Sequence, residues 1–389
     1  MQNFSGWQKL LLRALSYIVV AAATATVTLF LYGSDAGKLG QLQYLLEKRF
    51  IGEVDSTALE DAAAQAMINA LGDRWSYYIP AADYTAYQEQ KKNAYVGIGV
   101  TISVREDAQG FDILKVEQGG SAWEAGILPG DILVEVEGQQ VYPLGIDGTT
   151  DLIRGEEGTA VAVAVLRDGQ HLNFTLPRKT VRVAVATGQM LQGNIGLVSI
   201  RNFNEHCADE AKEAIEKLLE QGAQTLIFDV RNNPGGYVSE MTALLDYLLP
   251  EGELFRSVDY AGREEVKYSD AKCVEIPMAV LVNSQSYSAA EFFAAALEEY
   301  DWAVAAGAPT CGKGYFQTTY RLRDGSAVGL SIGKYFTPHG VSLAEAGGLV
   351  PEILVEVDAK TATLIYTGVL GPEEDPQIQA AVEALQDEK

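Results

Sequence analysis

The sequence predicts a multidomain α/β protein: an N-terminal apolar helix, a helical segment, a small β-domain and a larger α/β core. Three observations carry this. Residues 14–32 form a run of 19 residues without a charged side chain. Residues 95–180 read as short strands punctuated by glycine turns. From residue 181 onward apolar strands alternate with amphipathic helices, which implies right-handed crossovers onto one sheet. A chain of 389 residues has room for two or three domains. Its 48% hydrophobic and 21% charged content suits packed cores.

Charge narrows the partners. The formal net charge is -24. A nucleic-acid binder needs clustered cations to displace counterions, so nucleic acid is excluded. Adhesion to anionic lipid by charge is excluded for the same reason. Cys207, Cys273 and Cys311 are too few and too scattered for a disulfide framework or a zinc site. His171, His206 and His339 do not stand at ligand spacing from one another. No metal and no cofactor are expected.

The apolar run comes first. As a helix, residues 14–32 would span roughly 28 Å, about one bilayer core. Lys9 and Arg13 precede the run, and positive charge stays cytoplasmic. Residues 1–37 are therefore expected to be a cytoplasmic tip and single-pass anchor, with the rest of the chain outside the cell membrane. A cleaved signal peptide is the alternative; the run is long for one, and no clean small-x-small site follows.

Residues 38–94 read as helical. Leu42, Leu45, Leu46, Phe50 and Ile51 recur at helical spacing, as do Leu59, Ala62, Ala63, Ala66, Met67 and Leu71 before Gly72. Tyr77 and Tyr78 are expected in a short turn, and residues 84–92 in another helix. Residues 95–180 are the β-domain. Residues 181–370 are the α/β core, with strands at 195–200, 225–230 and 277–283 and helices at 209–220, 239–249 and 289–300. Residues 371–389 are a tail with a short helix at 376–385.

The β-domain opens with Val96-Gly97-Ile98-Gly99-Val100. A peptide C-terminus needs several backbone N–H groups converging on one carboxylate, and glycines permit that backbone. The strand that follows then offers its edge to the peptide. Gly120-Ser121-Ala122, Gly126-Ile127-Leu128-Pro129-Gly130-Asp131, Arg154-Gly155 and a final strand with Arg167 follow. Together these strings resemble a PDZ domain.

Three strings in the core carry chemistry. Arg231-Asn232-Asn233-Pro234-Gly235-Gly236 ends an apolar strand in a Gly-Gly turn, which can aim free N–H groups into a cleft. In Asn283-Ser284-Gln285-Ser286-Tyr287-Ser288-Ala289-Ala290-Glu291, a strand turns sharply into a helix just after Ser288. The Ala289 N–H then lies at a helix N-terminus, where donors are free. The plain alternative is that Ser288 is an N-cap completed by Glu291. In Gly312-Lys313-Gly314, the absence of Ser or Thr after Lys313 rules out a phosphate-binding P-loop. A catalytic lysine there must be neutral, hence held beside apolar groups.

Jointly these strings resemble the C-terminal processing peptidases, over roughly residues 59–385. In that family a serine in Ser-x-Ser-Ala-x-Glu is the nucleophile, a lysine 25 residues later is the base, and a glutamine four further on orients it. Here Ser288, Lys313 and Gln317 hold both offsets. Residues 196–203, 334–340 and 348–353 match further strings. Tyr287, Ala290 and Pro351-Glu352 depart from the commoner residues, and Tyr287 bears on access to the serine.

The resemblance implies a core of the crotonase and ClpP type, and a membrane-anchored serine endopeptidase that cleaves extracytoplasmic proteins. It implies an oxyanion hole from the N–H groups of Ala289 and of Gly235 or Gly236. The PDZ domain would read free C-termini and gate the dyad, with Arg154 either coupling it to the core or standing as a solvated surface arginine. Relatives also imply a homodimer through helical ends. Three rivals stand against this. A Ser-His-Asp triad lacks a Gly-x-Ser-x-Gly elbow and an acid near His339. A membrane-tethered PDZ scaffold with a dead core would not keep Ser288, Lys313 and Gln317. An acyl-CoA enzyme of the crotonase kind would lack the PDZ domain.

Overall fold

The computed structural model describes residue 7 and residues 14–24, 37–105 and 109–387. The chain divides into two compact units, Met1–Gly72 and Asp73–Lys389. In the first, residues 14–24 of the expected span are helical, and residues 25–32 lie outside the described residues. Among the described residues no helix is long and apolar enough to cross a membrane. Helices Lys38–Arg49 and Ser56–Asn69 appear as the leucine and alanine spacing predicts. The Asp55 carboxylate caps the second by accepting from the Ala58 N–H at 3.0 Å. The Gln43 side chain joins the two helices by donating to Glu60 at 2.7 Å.

The helical reading of residues 38–94 needs correction at one point. Tyr77–Ile79 is a strand, not a turn, and it pairs antiparallel with Ala327–Phe336. Three alternating residues give too short a pattern to mark a strand; the partner more than 200 residues away decides it. Gly252–Asp259, Glu264–Ser269 and Tyr315–Arg321 complete this five-stranded sheet.

The core sheet has six strands in the spatial order Ala186–Leu191, Ile195–Ile200, Thr225–Asp229, Met278–Val282, Ala303–Gly307, Ile353–Leu354. All pairs but the first are parallel. A parallel sheet is covered on both faces, which is why Met278–Val282 is buried at every residue. Leu226, Phe228, Val280 and Val282 point to one face, beneath helices Cys207–Glu220, Val238–Leu248 and Ala289–Glu299. Ile227, Ala279 and Leu281 point to the other, where Ile378, Ala381 and Leu385 of the tail helix Pro376–Asp387 cover them. The tail is thus part of the core.

The strands expected within residues 95–180 form a six-stranded sheet of their own. Val100–Val104, Phe111–Val116, Ile132–Val136, Ala160–Arg167 and Gln170–Pro177 make this sheet, with Gln139–Gln140 added beside the third strand. Val100–Val104 lies at one edge. A helix, Val141–Ile153, kinked at Gly145, interrupts the strands. Arg167 clamps the Gly126–Asp131 turn by donating to both Asp131 oxygens at 2.6 Å.

A buried ion cluster locks the tail to the strand ends. The Arg231 guanidinium meets Asp229 at 2.6 Å and Asp375 at 2.8 Å, and it donates to Gln377 at 2.8 Å. Arg231 and Asp375 side chains are only 5% and 3% exposed. Removing one partner strands the others in a dry site. Arg231→Ala is expected to lower unfolding free energy by ~3–5 kcal/mol. Lys217→Ala, which breaks the exposed Lys217–Glu213 pair, is expected to cost under ~0.5 kcal/mol. Urea denaturation of the two variants measures the difference.

Candidate active site

Strand Met278–Val282 ends in a turn held by its own polar residues. The Asn283 N–H donates to Ser286 Oγ at 3.0 Å, and the Ser286 hydroxyl donates to the Val230 carbonyl at 2.7 Å. Asn283 Oδ1 accepts from the Asn232 N–H at 3.0 Å, and Tyr287 N–H donates to the Asn233 carbonyl. The turns after two neighbouring strands are thereby stitched together. Ser288 follows with φ +59° and ψ −129°, a conformation that L-residues rarely adopt. Helix Ala289–Glu299 starts on the next residue. The strained junction sets Ser288 at the end of a strand, where it lines a cavity although only 5% of the residue is exposed.

Glu291 holds the junction. Its side chain is fully buried, and each carboxylate oxygen accepts two hydrogen bonds. Oε2 takes the N–H groups of Ser288 and Lys313, both at 2.9 Å. Oε1 takes the Thr310 hydroxyl and the Gly312 N–H, both at 2.6 Å. Burial pushes its pKa up and the four donors pull it back. The capping role read from sequence is present, but it is half of the function: one oxygen fixes the backbone of both Ser288 and Lys313.

Ser288, Lys313 and Gln317 line one cavity of about 430 Å³. Burial, helped by the positive charge of Lys91, pushes the Lys313 pKa down to about 8; Glu291, Asp73 and Cys311 oppose the shift. The Lys313 Nζ lies 4.9 Å from the Trp75 ring centre and 5.8 Å from that of Tyr287. The two rings are 5.9 Å apart, so the amine rests on an aromatic pair. No hydrogen bond joins Lys313 Nζ to Ser288 Oγ. Gln317 donates from Nε2 to the Tyr315 carbonyl at 3.2 Å and the Ser331 hydroxyl at 3.0 Å, so its amide oxygen is the atom left to face another donor.

The three expected oxyanion donors are not equivalent. The Gly235 N–H is already taken by Asn233 Oδ1 at 2.8 Å. The N–H groups of Gly236 and Ala289 have no acceptor among the described residues. Gly235 contributes shape instead: at φ +84°, a Cβ there would lie 2.8 Å from the Ser288 Cβ and 2.9 Å from the Ala289 nitrogen. Only glycine lets the Gly-Gly turn sit against the serine.

His339 is exposed and absent from this cavity. It does have an acid neighbour, contrary to the sequence reading: Glu299, at 3.9 Å. Spacing along the chain gave no hint of it, since the two meet only through folding. Sequence reading also missed Trp75, which reaches Lys313 across the fold. Tyr335 was noted only as part of a matching string; its phenol, pushed up by burial, sits against the Ser288 side chain.

Comparison with known proteins bears on this arrangement. The peptidase family S41 profile matches residues 194–355, and a PDZ domain profile matches residues 113–167. The carboxy-terminal processing protease CtpA of Bacillus subtilis (strain 168) is 30% identical over 359 residues, 87% of this chain and 76% of that protein. The chain belongs to peptidase family S41, the C-terminal processing peptidases. It is a serine-type peptidase. A probable CtpA-like serine protease of Staphylococcus epidermidis is 28% identical over 322 residues, 82% of this chain and 65% of that one. A putative S41 protease from Bacteroides fragilis has the same fold, with TM-score 0.54, 14% identity, and coverage of 90% of this chain and 97% of that one. A photosystem II D1 C-terminal processing protease gives TM-score 0.47 at 26% identity, over 81% and 85% of the two chains.

In this S41 peptidase the PDZ profile begins after the glycine string Val96 to Val100. Ile98 is buried, Gly99 has φ +85°, and the N–H groups of both lack an acceptor among the described residues. Val96 and Gly97 close a two-stranded ribbon with Thr180 and Lys179, while Val100 begins the edge strand. Arg154 lies 3.8 Å from Glu89 and over the Tyr95 ring. Glu89 belongs to helix Tyr84–Lys91, whose Tyr84, Tyr87, Gln88 and Lys91 line the cavity of Ser288.

Glu291→Gln places an NH2 group against N–H donors that now meet an oxygen. It is expected to lower the melting temperature and to reduce kcat by more than ~10-fold with little change in KM, the signature of a positioning residue. Steady-state kinetics at matched folded fraction measures this.

Proposed function

We propose that this peptidase hydrolyses extracytoplasmic proteins near their C-termini by acyl transfer through a Ser288–Lys313 dyad. The observation that carries the reading is the shared cavity: a strained serine, a lysine whose pKa is pushed down to about 8, and two free N–H groups beside them. A lysine with that pKa supplies neutral amine near neutral pH without ceasing to be a base.

The steps follow from the chain's own groups. Neutral Lys313 takes the Ser288 hydroxyl proton as the oxygen attacks a peptide carbonyl. The N–H groups of Gly236 and Ala289 receive the negative charge that develops on the carbonyl oxygen. The ammonium of Lys313 returns the proton to the leaving amine, and water then hydrolyses the ester on Ser288. Lys313 Nζ, which lies over the Trp75 and Tyr287 rings without a hydrogen bond to Ser288 Oγ, must close on that oxygen for the proton to pass. The Gln317 amide oxygen is the acceptor that steadies its amine once there. Substrate tails bind the PDZ domain at the loop Val96 to Val100. The Arg154–Glu89 contact supplies a route from that domain to the cavity wall.

The 19 uncharged residues at 14–32, after Lys9 and Arg13, support a membrane anchor with the catalytic part outside. A homodimer through the helical ends belongs to the same reading. His339→Ala separates the reading from a Ser-His triad, and it is expected to retain most activity.

Ser288→Ala and Lys313→Ala are each expected to reduce kcat/KM by ~10³-fold or more. Because the base acts when neutral, kcat/KM should rise with pH through about 8 and level off above it. A profile flat from pH 6 to 9 in a protein that stays folded would contradict the assignment. A peptide with a free C-terminus should stimulate cleavage of a tagged protein, and its amidated form should not; equal stimulation would remove the PDZ gate from the account.

A further inference from the structure

The cavity around Ser288 carries a charge opposite to that of the protein. The chain has 53 acidic and 29 basic residues, yet among the described residues no aspartate or glutamate lines the cavity. Its charged side chains are Lys313 and Lys91, set among tyrosines. Lys313 is absorbed by the proposed chemistry. Lys91 is not.

Lys91 is the last residue of helix Tyr84–Lys91. Its backbone is pinned where the helix ends. The Glu205 N–H donates to the Lys91 carbonyl at 3.2 Å, and Asn204 Nδ2 donates to the Gln90 carbonyl at 3.1 Å. The Asn93 side chain donates to the Glu205 carbonyl at 2.9 Å. The ammonium is held over aromatic faces, 5.5 Å from the Tyr237 ring centre and 5.8 Å from that of Tyr87. Its one hydrogen-bond acceptor among the described residues is Asn204 Oδ1, at 3.5 Å, a weak contact. Among the described residues no carboxylate approaches it within ion-pair distance, although Glu205 is a neighbour in sequence of its asparagine partner. A half-buried ammonium with neutral company, facing a second lysine across a cavity, is short of an anion.

We propose that Lys91 is a specificity residue of this peptidase, receiving a substrate carboxylate in the cavity of Ser288. The inference rests on the reading of that cavity as the active site. Bonds beside an acidic group are then cleaved in preference to bonds beside its amide isostere. An amide oxygen can accept from the ammonium but brings no negative charge, so it leaves the cation without a counter-ion as before. Two sources supply the same group: an Asp or Glu side chain close to the cleaved bond, or the terminal carboxylate of a leaving segment one or two residues long. Arg167, Arg231 and Arg256 already have carboxylate partners. Lys91 differs in being placed at the cavity without one.

The test uses two pairs of quenched fluorescent peptides built on one cleaved sequence, and the full chain. In the first pair Asp is exchanged for Asn within two residues of the cleaved bond, with a long amidated tail. In the second the leaving segment is short and ends as a free acid or as an amide. The wild-type protein is expected to favour the acid member of at least one pair by ~10-fold in kcat/KM, the order of a charge-assisted hydrogen bond. The pair that discriminates names the source. Lys91→Gln should bring the ratio to near one, and Lys91→Arg should retain it. Ratios near one for wild type in both pairs overturn the proposal. So does a preference that survives in Lys91→Gln, because it then belongs to the PDZ loop. Ser288→Ala is the separate control: hydrolysis by that variant would defeat the active-site reading, whatever Lys91 does.

Discussion

The buried carboxylate of Glu291 is the interaction on which the site depends. One side chain joins two segments that share no strand and no turn. Its Oε2 binds the backbone nitrogens of Ser288 and Lys313 at the same distance, so these nitrogens are held no further apart than two hydrogen bonds. Its Oε1 ties in the Thr310 hydroxyl and the Gly312 N–H from the strand-to-loop junction that precedes the lysine. A buried carboxylate is tolerable only when its lone pairs are met, and here four donors meet them. The same contacts hold Ser288 in its unfavourable backbone conformation, because the helix that starts at Ala289 cannot retreat.

The cavity built on this junction is electrically unlike the rest of the chain. An acidic exterior surrounds a pocket whose charges are two lysines. Burial of Lys313, and then the positive charge of Lys91, favour neutral amine at Lys313, while Trp75 and Tyr287 offer its cationic form a face to rest on. Tyr287, which departs from the commoner family residue, supplies one of those two faces.

Much of this was legible in the residues. Apolar runs such as Met278–Val282 mark a sheet buried on both faces, and the alternation of strands and helices orders it. The offsets from Ser288 to Lys313 and Gln317 carry the resemblance only together with the strings around them, from Arg231 to Gly236 and from Asn283 to Glu291. What was hidden is what depends on distant pairing. Tyr77–Ile79 is a strand only because Ala327–Phe336 lies beside it. Glu291 looks like a helix cap, since its contacts to Thr310, Gly312 and Lys313 are invisible from local spacing. Gly235 and Gly236 look interchangeable until Asn233 is seen to occupy one of their N–H groups. Trp75 and Lys91 carry no motif; they matter through where the fold brings them.

The measurement that bears most directly on the central claim is the site and rate of covalent labelling by a phosphonate probe that reacts with activated serines. After digestion, mass spectrometry should place the adduct on Ser288. The labelling rate of Lys313→Ala should fall by orders of magnitude while the protein stays folded. An adduct on another residue, or labelling of Ser288 at an undiminished rate without Lys313, would contradict the account.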